Sequence, residues 1–208
     1  MPTVAVDRPA PGEELNTGAE TAPRSATSVI LLRDGPAGPE VLLVRRNPES
    51  RFMGGAWVFP GGAVRDVDAD PRATGVRELE EEAGIALGAD DELVPFSRWI
   101  TPAQVKIRFD TWFFAARAPD GAEATPDGEE CVDARWLRPQ DALDEFRRDA
   151  LMLVFPTIKH LEQLDGHDSV DELLDSARER DVRPVQPRVV MDGDEPRVIM
   201  PGEPGYED

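Results

Sequence analysis

Cysteine and histidine are scarce in this sequence of 208 residues, which contains one Cys and two His. The single cysteine, Cys131, cannot form an internal disulfide, and no CxxC pair is present, so neither a disulfide framework nor a zinc site is expected. No apolar run approaches the roughly 20 residues that cross a bilayer, and the first residues lack the pattern of a secretory signal. We therefore expect a cytoplasmic globular protein that does not bind membranes.

Basic residues are outnumbered, with 23 Lys and Arg against 42 Asp and Glu and a formal net charge of -19. A surface of this sign repels phosphate polymers at long range, which argues against a nucleic-acid partner. The patterns G-x4-G-K-[ST] and G-x-S-x-G are missing, which disfavours P-loop NTPases and serine hydrolases. Clustered carboxylates can still recruit a small polyanion through divalent cations, so the positions of the acids matter.

The sequence divides into four parts by composition. Residues 1–25 mix Pro, Gly, Glu and Thr without apolar periodicity, which predicts a disordered N-terminal tail. Residues 26–140 combine strand-like runs with one helix, which predicts an α/β domain. Leucines at helical spacing in residues 141–183 predict a helical C-terminal extension packed on that domain. Residues 184–208 form an acidic, Pro-rich tail or arm.

Runs of β-branched and aromatic residues mark the expected strands, which are 28–33, 41–46, 93–101, 107–116 and 131–137. In the C-terminal arm, apolar runs at 188–191 and 197–200 flank a polar turn, the pattern of a hairpin. Such an arm packs either on the body of the protein or on a second subunit, so a homodimer is left open.

One helix is sharply bounded by its sequence. Asp70 suits the N-cap, Pro71 suits the first helical position, and Gly84 suits the residue just after the end. These signals predict a helix over residues 71–83.

Three acids of this helix, Glu78, Glu81 and Glu82, fall within an arc of about 100°. Glu78 and Glu82 are an i,i+4 like-charge pair, which costs roughly a few tenths of a kcal/mol, so a cation is expected to offset it. A solvated acidic face is the alternative. Gly61 and Gly62 favour a ligand site, because they permit a tight turn and close approach of a backbone carbonyl. Oxygen donors without His or Cys select Mg²⁺ or Mn²⁺, which implies metal-assisted phosphate chemistry.

The run from Arg77 to Ile85, RELEEEAGI, resembles the Nudix box G-x5-E-x7-R-E-U-x-E-E-x-G-U (U is aliphatic), whose C-terminal half it matches at every specified position. Gly62 stands at the first position of the box. The middle departs, because Asp68 replaces Glu and eight residues rather than seven separate it from Arg77. The resemblance implies a Nudix hydrolase, an α/β/α sandwich with a mixed sheet, which cleaves a nucleoside diphosphate linked to another group.

The same resemblance implies roles for single residues. Glu81 and Glu82 would ligate the divalent ions, with Glu78 and the Gly62 carbonyl as further oxygen donors. Glu78 would orient or deprotonate the attacking water, and Arg77 would hold Glu78 in place. Two or more divalent ions can clamp the attacking and bridging oxygens and lower the pKa of bound water.

The stretch before the box is similar to the coenzyme A diphosphatase signature L-L-T-x-R-[SA]-x3-R-x3-G-x3-F-P-G-G. Arg46, Arg51 and Gly55 match in register, whereas Val44 replaces Thr and Asn47 replaces Ser or Ala. This resemblance implies coenzyme A or an acyl derivative as the substrate. The two arginines are expected to contact phosphates, or else to cap the end of an exposed strand.

Two alternatives stay open. Some branches of the family that hydrolyse ADP-ribose have a proline about as far beyond the box as Pro102. ADP-ribose or another nucleoside-diphosphate derivative is therefore an alternative substrate. The structural alternative is that Pro102 is simply a proline at the end of a strand. The altered spacing at Asp68 allows a protein of another class, a non-catalytic nucleotide-binding regulatory domain.

Other polar residues have less specific signals. Glu129 and Glu130 precede an expected strand and supply either an additional acid of the metal site or a solvated loop. His160 and His167 lie in the helical region, where we expect polar surface roles. Cys131 is expected to be a small buried residue.

Overall fold

The computed structural model describes residues 14–16, 18–193 and 195–206, and over these residues the chain forms ten strands and four helices. The strands are β1 (Arg24–Gly35), β2 (Gly38–Arg46), β3 (Trp57–Val58), β4 (Gly61–Ala63), β5 (Val94–Ile100), β6 (Phe109–Arg117), β7 (Cys131–Leu137), β8 (Pro184–Val185), β9 (Arg188–Asp192) and β10 (Glu195–Ile199). The helices are α1 (Pro71–Ala83), α2 (Pro139–Arg147), α3 (Phe155–Leu164) and α4 (Val170–Arg178).

Eight of these strands form one mixed sheet in the order β3-β2-β1-β6-β5-β8, with β4 paired to β1 and β7 paired to β2. The pairs β1–β6 and β5–β8 are parallel, and the other pairs of this sheet are antiparallel. The first two strands pair as an antiparallel hairpin, β1–β2. The short strands β3, β4 and β8 had no signal in the sequence.

Two hydrophobic cores lie on opposite faces of the sheet. Val29 and Leu31 of β1 pack with Leu79 of α1, whereas Ile30 and Leu32 belong to the core that contains residues of α2, α3 and α4. Successive side chains of a strand point to opposite faces, so β1 supplies both cores. The predicted α/β/α sandwich with a helical C-terminal extension is confirmed. Within the described part of the chain, no helix is both long and apolar enough to cross a membrane.

The N-terminal region differs from the predicted disordered tail where the structure describes it. Residues 1–13 and 17 lie outside the described residues. The Lys106 N–H donates to the Glu14 carbonyl at 2.9 Å, and the Asn16 N–H donates to the Gln104 carbonyl at 2.6 Å. Arg108, which is buried, donates to the Thr21 carbonyl at 2.7 Å. The described part of the N-terminal region is held by hydrogen-bond partners that lie more than 80 residues away in the sequence. The composition of residues 1–25 does not reveal these partners.

His160 is not the surface residue that we expected. It is fully buried on α3, where its Nδ1 lies 2.6 Å from the Pro156 carbonyl oxygen and its Nε2 lies 2.6 Å from Ser97 Oγ. Phe59, Phe96, Trp99 and Phe113 surround the ring. Cys131 is fully buried, as expected, and burial raises the pKa of its thiol.

The C-terminal arm forms an antiparallel hairpin of β9 and β10, in which Val189 pairs with Val198. Both valines are buried in the same core as Trp99. The arm therefore packs on the body of its own chain.

Candidate active site

The helix that carries the acids begins and ends where its sequence signals lie. Asp70 Oδ1 accepts a hydrogen bond from the Ala73 N–H at 2.9 Å, and Pro71 is the first helical residue. Gly84 has a φ of 66°, and its N–H donates to the Glu80 carbonyl at 3.0 Å. The predicted bounds of 71–83 are therefore confirmed.

Gly75 lets this helix approach β1 closely. A Cβ at this position would lie 2.9 Å from Val29 Cγ2 and 3.0 Å from Thr27 Cγ2, closer than carbon atoms pack. The close approach brings the following turn of the helix to β4, which pairs with the same part of β1. No role was predicted for Gly75, although a glycine inside a helix is a signal for a packing constraint.

Glu78 and Glu82 are the two buried carboxylates of the helix, with side-chain exposures of 6% and 3%. A Cβ at Gly62 would lie 2.6 Å from Oε1 of Glu78, so a larger residue there would displace this carboxylate from its observed position. Oε2 of Glu82 accepts a hydrogen bond from the Gly61 N–H at 2.8 Å. Loss of solvation raises the pKa of Glu78, and it raises the pKa of Glu82 to about 7.

Arg77 connects three carboxylates. Its Nη1 donates to Glu78 Oε1 at 2.6 Å and to Glu81 Oε2 at 3.0 Å. Its Nε and Nη2 donate to the two oxygens of Asp68 at 2.9 and 2.8 Å. A bidentate pair of this kind fixes the guanidinium in orientation as well as position. Arg77 thus makes the contact with Glu78 that its expected role requires.

Asp68 is integrated into the site despite its departure from the box. Besides its bonds to Arg77, its Oδ2 accepts from the Thr74 hydroxyl at 2.9 Å and from the Arg65 N–H at 2.8 Å. These bonds hold the pKa of Asp68 well below its usual range. Asp68 thus contacts Arg77 although it is one methylene shorter than Glu and one residue farther from Arg77 in the sequence.

Arg65 is a second cation at the acidic face, and no sequence signal pointed to it. Its Nη1 and Nη2 donate to the two oxygens of Glu81 at 3.1 and 2.9 Å, and Nη2 lies 3.8 Å from Glu78 Oε1. The pair holds the pKa of Glu81 below its ordinary value. Because half of the Arg65 side chain is exposed, the residue can leave the carboxylates at little cost.

The donors of this face fit a hard cation. Among the residues that the structure describes, no three His, Cys, Asp or Glu side chains already converge as a ligand set, because arginines bind Glu78 and Glu81. Yet three carboxylates share one helix face, two of them are buried, and one of these two, Glu78, lines a cavity. An all-oxygen set of this kind suits Mg²⁺ or Mn²⁺.

A cavity of about 450 Å³ opens beside these carboxylates. Its charged lining consists of Arg24, Arg46, Arg65, Glu78 and Glu130. Nη1 of Arg46 lies 4.0 Å from Glu82 Oε1. The charge of Glu130 contributes to the raised pKa of Glu82.

Comparison with known proteins identifies the family. Residues 22–154, more than half of the chain, match the family model described as the NUDIX domain. The chain belongs to the Nudix family. A crystal structure of a NUDIX hydrolase from Alicyclobacillus acidocaldarius has the same fold, with a TM-score of 0.70 and 26% identity over 76% of this chain and 97% of that one. The NUDIX domain of Shewanella oneidensis NrtR, crystallised with ADP ribose, shares the fold at 19% identity, with a TM-score of 0.56 over 69% of this chain and 86% of that one.

Two curated relatives are similar in sequence. The putative nudix hydrolase 7 of Caenorhabditis elegans is 28% identical over 179 residues, which are 68% of this chain and 60% of that protein. The putative 8-oxo-dGTP diphosphatase 3 of Mycobacterium tuberculosis is 30% identical over 122 residues, which are 57% of this chain and 54% of that protein. The chain therefore spans less than two thirds of the length of these relatives.

The residues expected to bind substrate around the Nudix box separate in the structure. Arg46 lines the cavity, and so does Pro102, which follows the end of β5. Arg51 is exposed and is not among the lining residues. Gly55 has a φ of 80° in the turn after β2, where its N–H donates to the Arg46 carbonyl at 3.1 Å, so it shapes the turn rather than the cavity.

The two acids expected to supplement the Nudix box also separate. Glu130 lines the cavity, whereas Glu129 is exposed and is not among the lining residues. The backbone carbonyl of Glu129 accepts a hydrogen bond from Asn47 Nδ2 at 2.9 Å, which ties this loop to the end of β2.

Proposed function

We propose that this Nudix protein is a metal-dependent hydrolase that cleaves a diphosphate linkage in a small nucleotide derivative, most specifically coenzyme A or an acyl-CoA. The observation that carries the proposal is the pair of buried carboxylates, Glu78 and Glu82, of which Glu78 lines a cavity that Arg46 also lines. Members of the family generally use divalent metal ions. Buried acids in such a setting require a cation to stay ionised.

The residues divide the chemistry among them. Glu81 and Glu82, with Glu78 and the Gly62 carbonyl as further donors, would hold Mg²⁺ or Mn²⁺. When bound, such an ion lowers the pKa of water and offsets charge on the phosphates. Glu78, held by Arg77 at 2.6 Å, orients the attacking water or accepts its proton.

The arginines of the site have separate tasks. Arg46, on the cavity wall, offers charge-assisted hydrogen bonds to phosphate oxygens. Arg65 neutralises Glu81 in the absence of a divalent cation and moves aside when one binds, because both would occupy the same carboxylate.

The similarity of the stretch before the box to the coenzyme A diphosphatase signature supports coenzyme A as the substrate. Arg46, which belongs to this stretch, lines the cavity. Pro102 also lies there, which supports ADP-ribose or another nucleoside-diphosphate derivative as the alternative substrate. The relative named putative 8-oxo-dGTP diphosphatase 3 adds an oxidised nucleotide to the candidates.

A substrate panel tests the proposal. The protein is incubated with CoA, ADP-ribose, NADH, dinucleoside polyphosphates and 8-oxo-dGTP in Mg²⁺ or Mn²⁺, and the products are separated by chromatography. We expect CoA to give adenosine 3′,5′-bisphosphate and 4′-phosphopantetheine. Preference for another substrate would overturn the assignment of CoA as the substrate, but the assignment as a hydrolase would stand. Binding without metal-dependent product release would instead indicate a nucleotide-binding regulatory domain.

The metal site has its own test in a matched pair of variants. Glu82→Gln should lower kcat about 10²-fold or more, since electrostatic stabilisation of reacting charge is worth about that much. Glu80→Gln changes the same side-chain type on the same helix at an exposed position, and its kcat should match the wild type. Equal kcat values for both variants, with both folded by circular dichroism, would remove Glu82 from the site.

A further inference from the structure

The cavity beside the carboxylates continues away from them across the sheet. Its lining runs from β4 through the first residues of β1 and β6 to the end of β5. These strands are successive neighbours in the sheet, so three spacings of about 4.8 Å separate β4 from β5, a span of about 14 Å. The cavity is therefore long enough for an extended group attached to the diphosphate.

The two ends of the cavity differ in polarity. Four of the five charged lining residues, Glu78, Arg46, Arg65 and Glu130, lie at the Nudix box and the adjoining loops, and the fifth, Arg24, begins β1 beside Phe109. The end at β5 is bounded by a set of apolar residues that we call the apolar chamber: Trp99, Ile100, Val105, Phe155, Val189 and Val198. A ligand that fits both ends has a charged diphosphate joined to an uncharged, mainly aliphatic arm.

Part of the chamber lies outside the region that matches the family. The family match ends at residue 154, whereas Phe155 begins α3 and Val189 and Val198 lie on the C-terminal hairpin. The two valines are directly paired across the hairpin and are only 8% and 7% exposed. Paired residues of an antiparallel ladder present the same face, so both point toward the chamber. This wall is thus a feature that the family domain alone does not supply.

We propose that the C-terminal hairpin determines substrate specificity: Val189 and Val198 contact the uncharged arm of the substrate, the pantetheine arm and acyl group of an acyl-CoA. The inference rests on the proposed function, which places the diphosphate at the carboxylates. A cavity of about 450 Å³ is at the small end of the range for ligand sites, so it admits the arm while the nucleotide lies toward solvent.

An acyl-length series tests the proposal. We measure kcat/KM for CoA and for its acetyl, butanoyl, hexanoyl and octanoyl thioesters, with ADP-ribose as a comparator that lacks the aliphatic arm. Each methylene that enters the chamber should raise kcat/KM about fourfold, until the chamber is full and the values level or fall. If no compound is hydrolysed, calorimetric dissociation constants for the same series replace the rates.

Two variants of the hairpin give the matched comparison. Val198→Phe fills the chamber and should shift the preference to shorter acyl groups, with CoA itself still accepted. Val190 lies on the same strand as Val189 but pairs with Arg197 on the opposite face, and it is not among the lining residues. Val190→Phe should therefore leave the length profile unchanged. If Val198→Phe does not fold, Val198→Ala should shift the preference to longer chains.

The outcomes separate this inference from the proposed function. Metal-dependent hydrolysis with a kcat/KM that does not change with acyl length would overturn the proposed role of the hairpin, but the proposed hydrolase function would stand. An equal loss with CoA, acyl-CoA and ADP-ribose in Val198→Phe would indicate that the chamber holds the nucleoside, which also overturns it. A length-dependent dissociation constant without hydrolysis would support the chamber and refute the enzymatic proposal.

Discussion

Replacement of His160 should remove a large acid sensitivity of the fold. The Pro156 carbonyl can only accept a hydrogen bond, so Nδ1 carries the proton, and the Ser97 hydroxyl donates to Nε2. Because full burial disfavours the charged form, the ring is neutral in the folded protein. Burial in an apolar cluster lowers the pKa of His160 to about 3.

The magnitude follows from linkage between protonation and folding. Between about pH 3 and the ordinary pKa of 6.5, the unfolded chain binds a proton at this residue that the folded chain does not. Stability from His160 is thus complete above about pH 6.5 and falls as the pH is lowered, at about 1.4 kcal/mol per pH unit. At pH 4.5 the loss reaches about 3 kcal/mol, a large share of the roughly 5–15 kcal/mol that stabilises a typical domain.

Urea unfolding measures this effect. Wild type and the double variant Ser97→Ala, His160→Phe, which removes the ring and its hydroxyl partner together, are unfolded at pH values from 7 to 4.5. The difference in unfolding free energy should change by about 3 kcal/mol across this range, because other groups cancel. His167→Gln, at the other histidine, is measured in parallel as the control for the loss of a histidine. Parallel curves for wild type and the double variant would refute the assignment of a neutral, buried His160.

Three further substitutions test the geometry of the site. Gly62→Ala places a Cβ 2.6 Å from the Glu78 carboxylate and should displace this carboxylate, which should lower kcat about 10²-fold. An unchanged kcat in a steady-state assay would contradict this contact. Gly75→Ala gains about 1 kcal/mol of helix propensity but meets Val29 Cγ2 at 2.9 Å, and overpacking costs about 1–3 kcal/mol. We therefore expect net destabilisation of about 1 kcal/mol in urea unfolding, and stabilisation would show that the helix can move. Asp70→Ala should cost about 1 kcal/mol through loss of the N-cap, and the exposed neighbour Asp66→Ala should cost little in the same measurement.

The parts of the protein that the sequence predicted best are those with local causes. The bounds of α1 depend on Asp70, Pro71 and Gly84, which act within one turn of the helix. The shared face of Glu78 and Glu82 follows from the helical repeat alone. Strand β7 was predicted with its observed bounds, 131–137, because turn residues precede it and a proline follows.

Other features depend on residues that meet only after folding. His160 was predicted to lie at the surface, and this was wrong because the aromatic rings around it come from β5, β6 and the segment before β4. The pairing of Arg65 with Glu81 had no signal in the sequence. The sequence named Glu129 and Glu130 together, and it did not distinguish Glu130, which lines the cavity, from Glu129. Asp68 looked like a defect of the box, and the structure shows it bonded to Arg77.

The amino-acid sequence by itself determined the acidic helix, its family and the oxygen chemistry of its donors, because these depend on residue type and on spacing within one element. Only the tertiary structure decided which arginine reaches the cavity, which side chains lie against Gly62 and Gly75, and that the C-terminal hairpin forms a wall beside the site. The physical reason is that a helix is set by hydrogen bonds over four residues, whereas a cavity is set by packing between segments more than 100 residues apart.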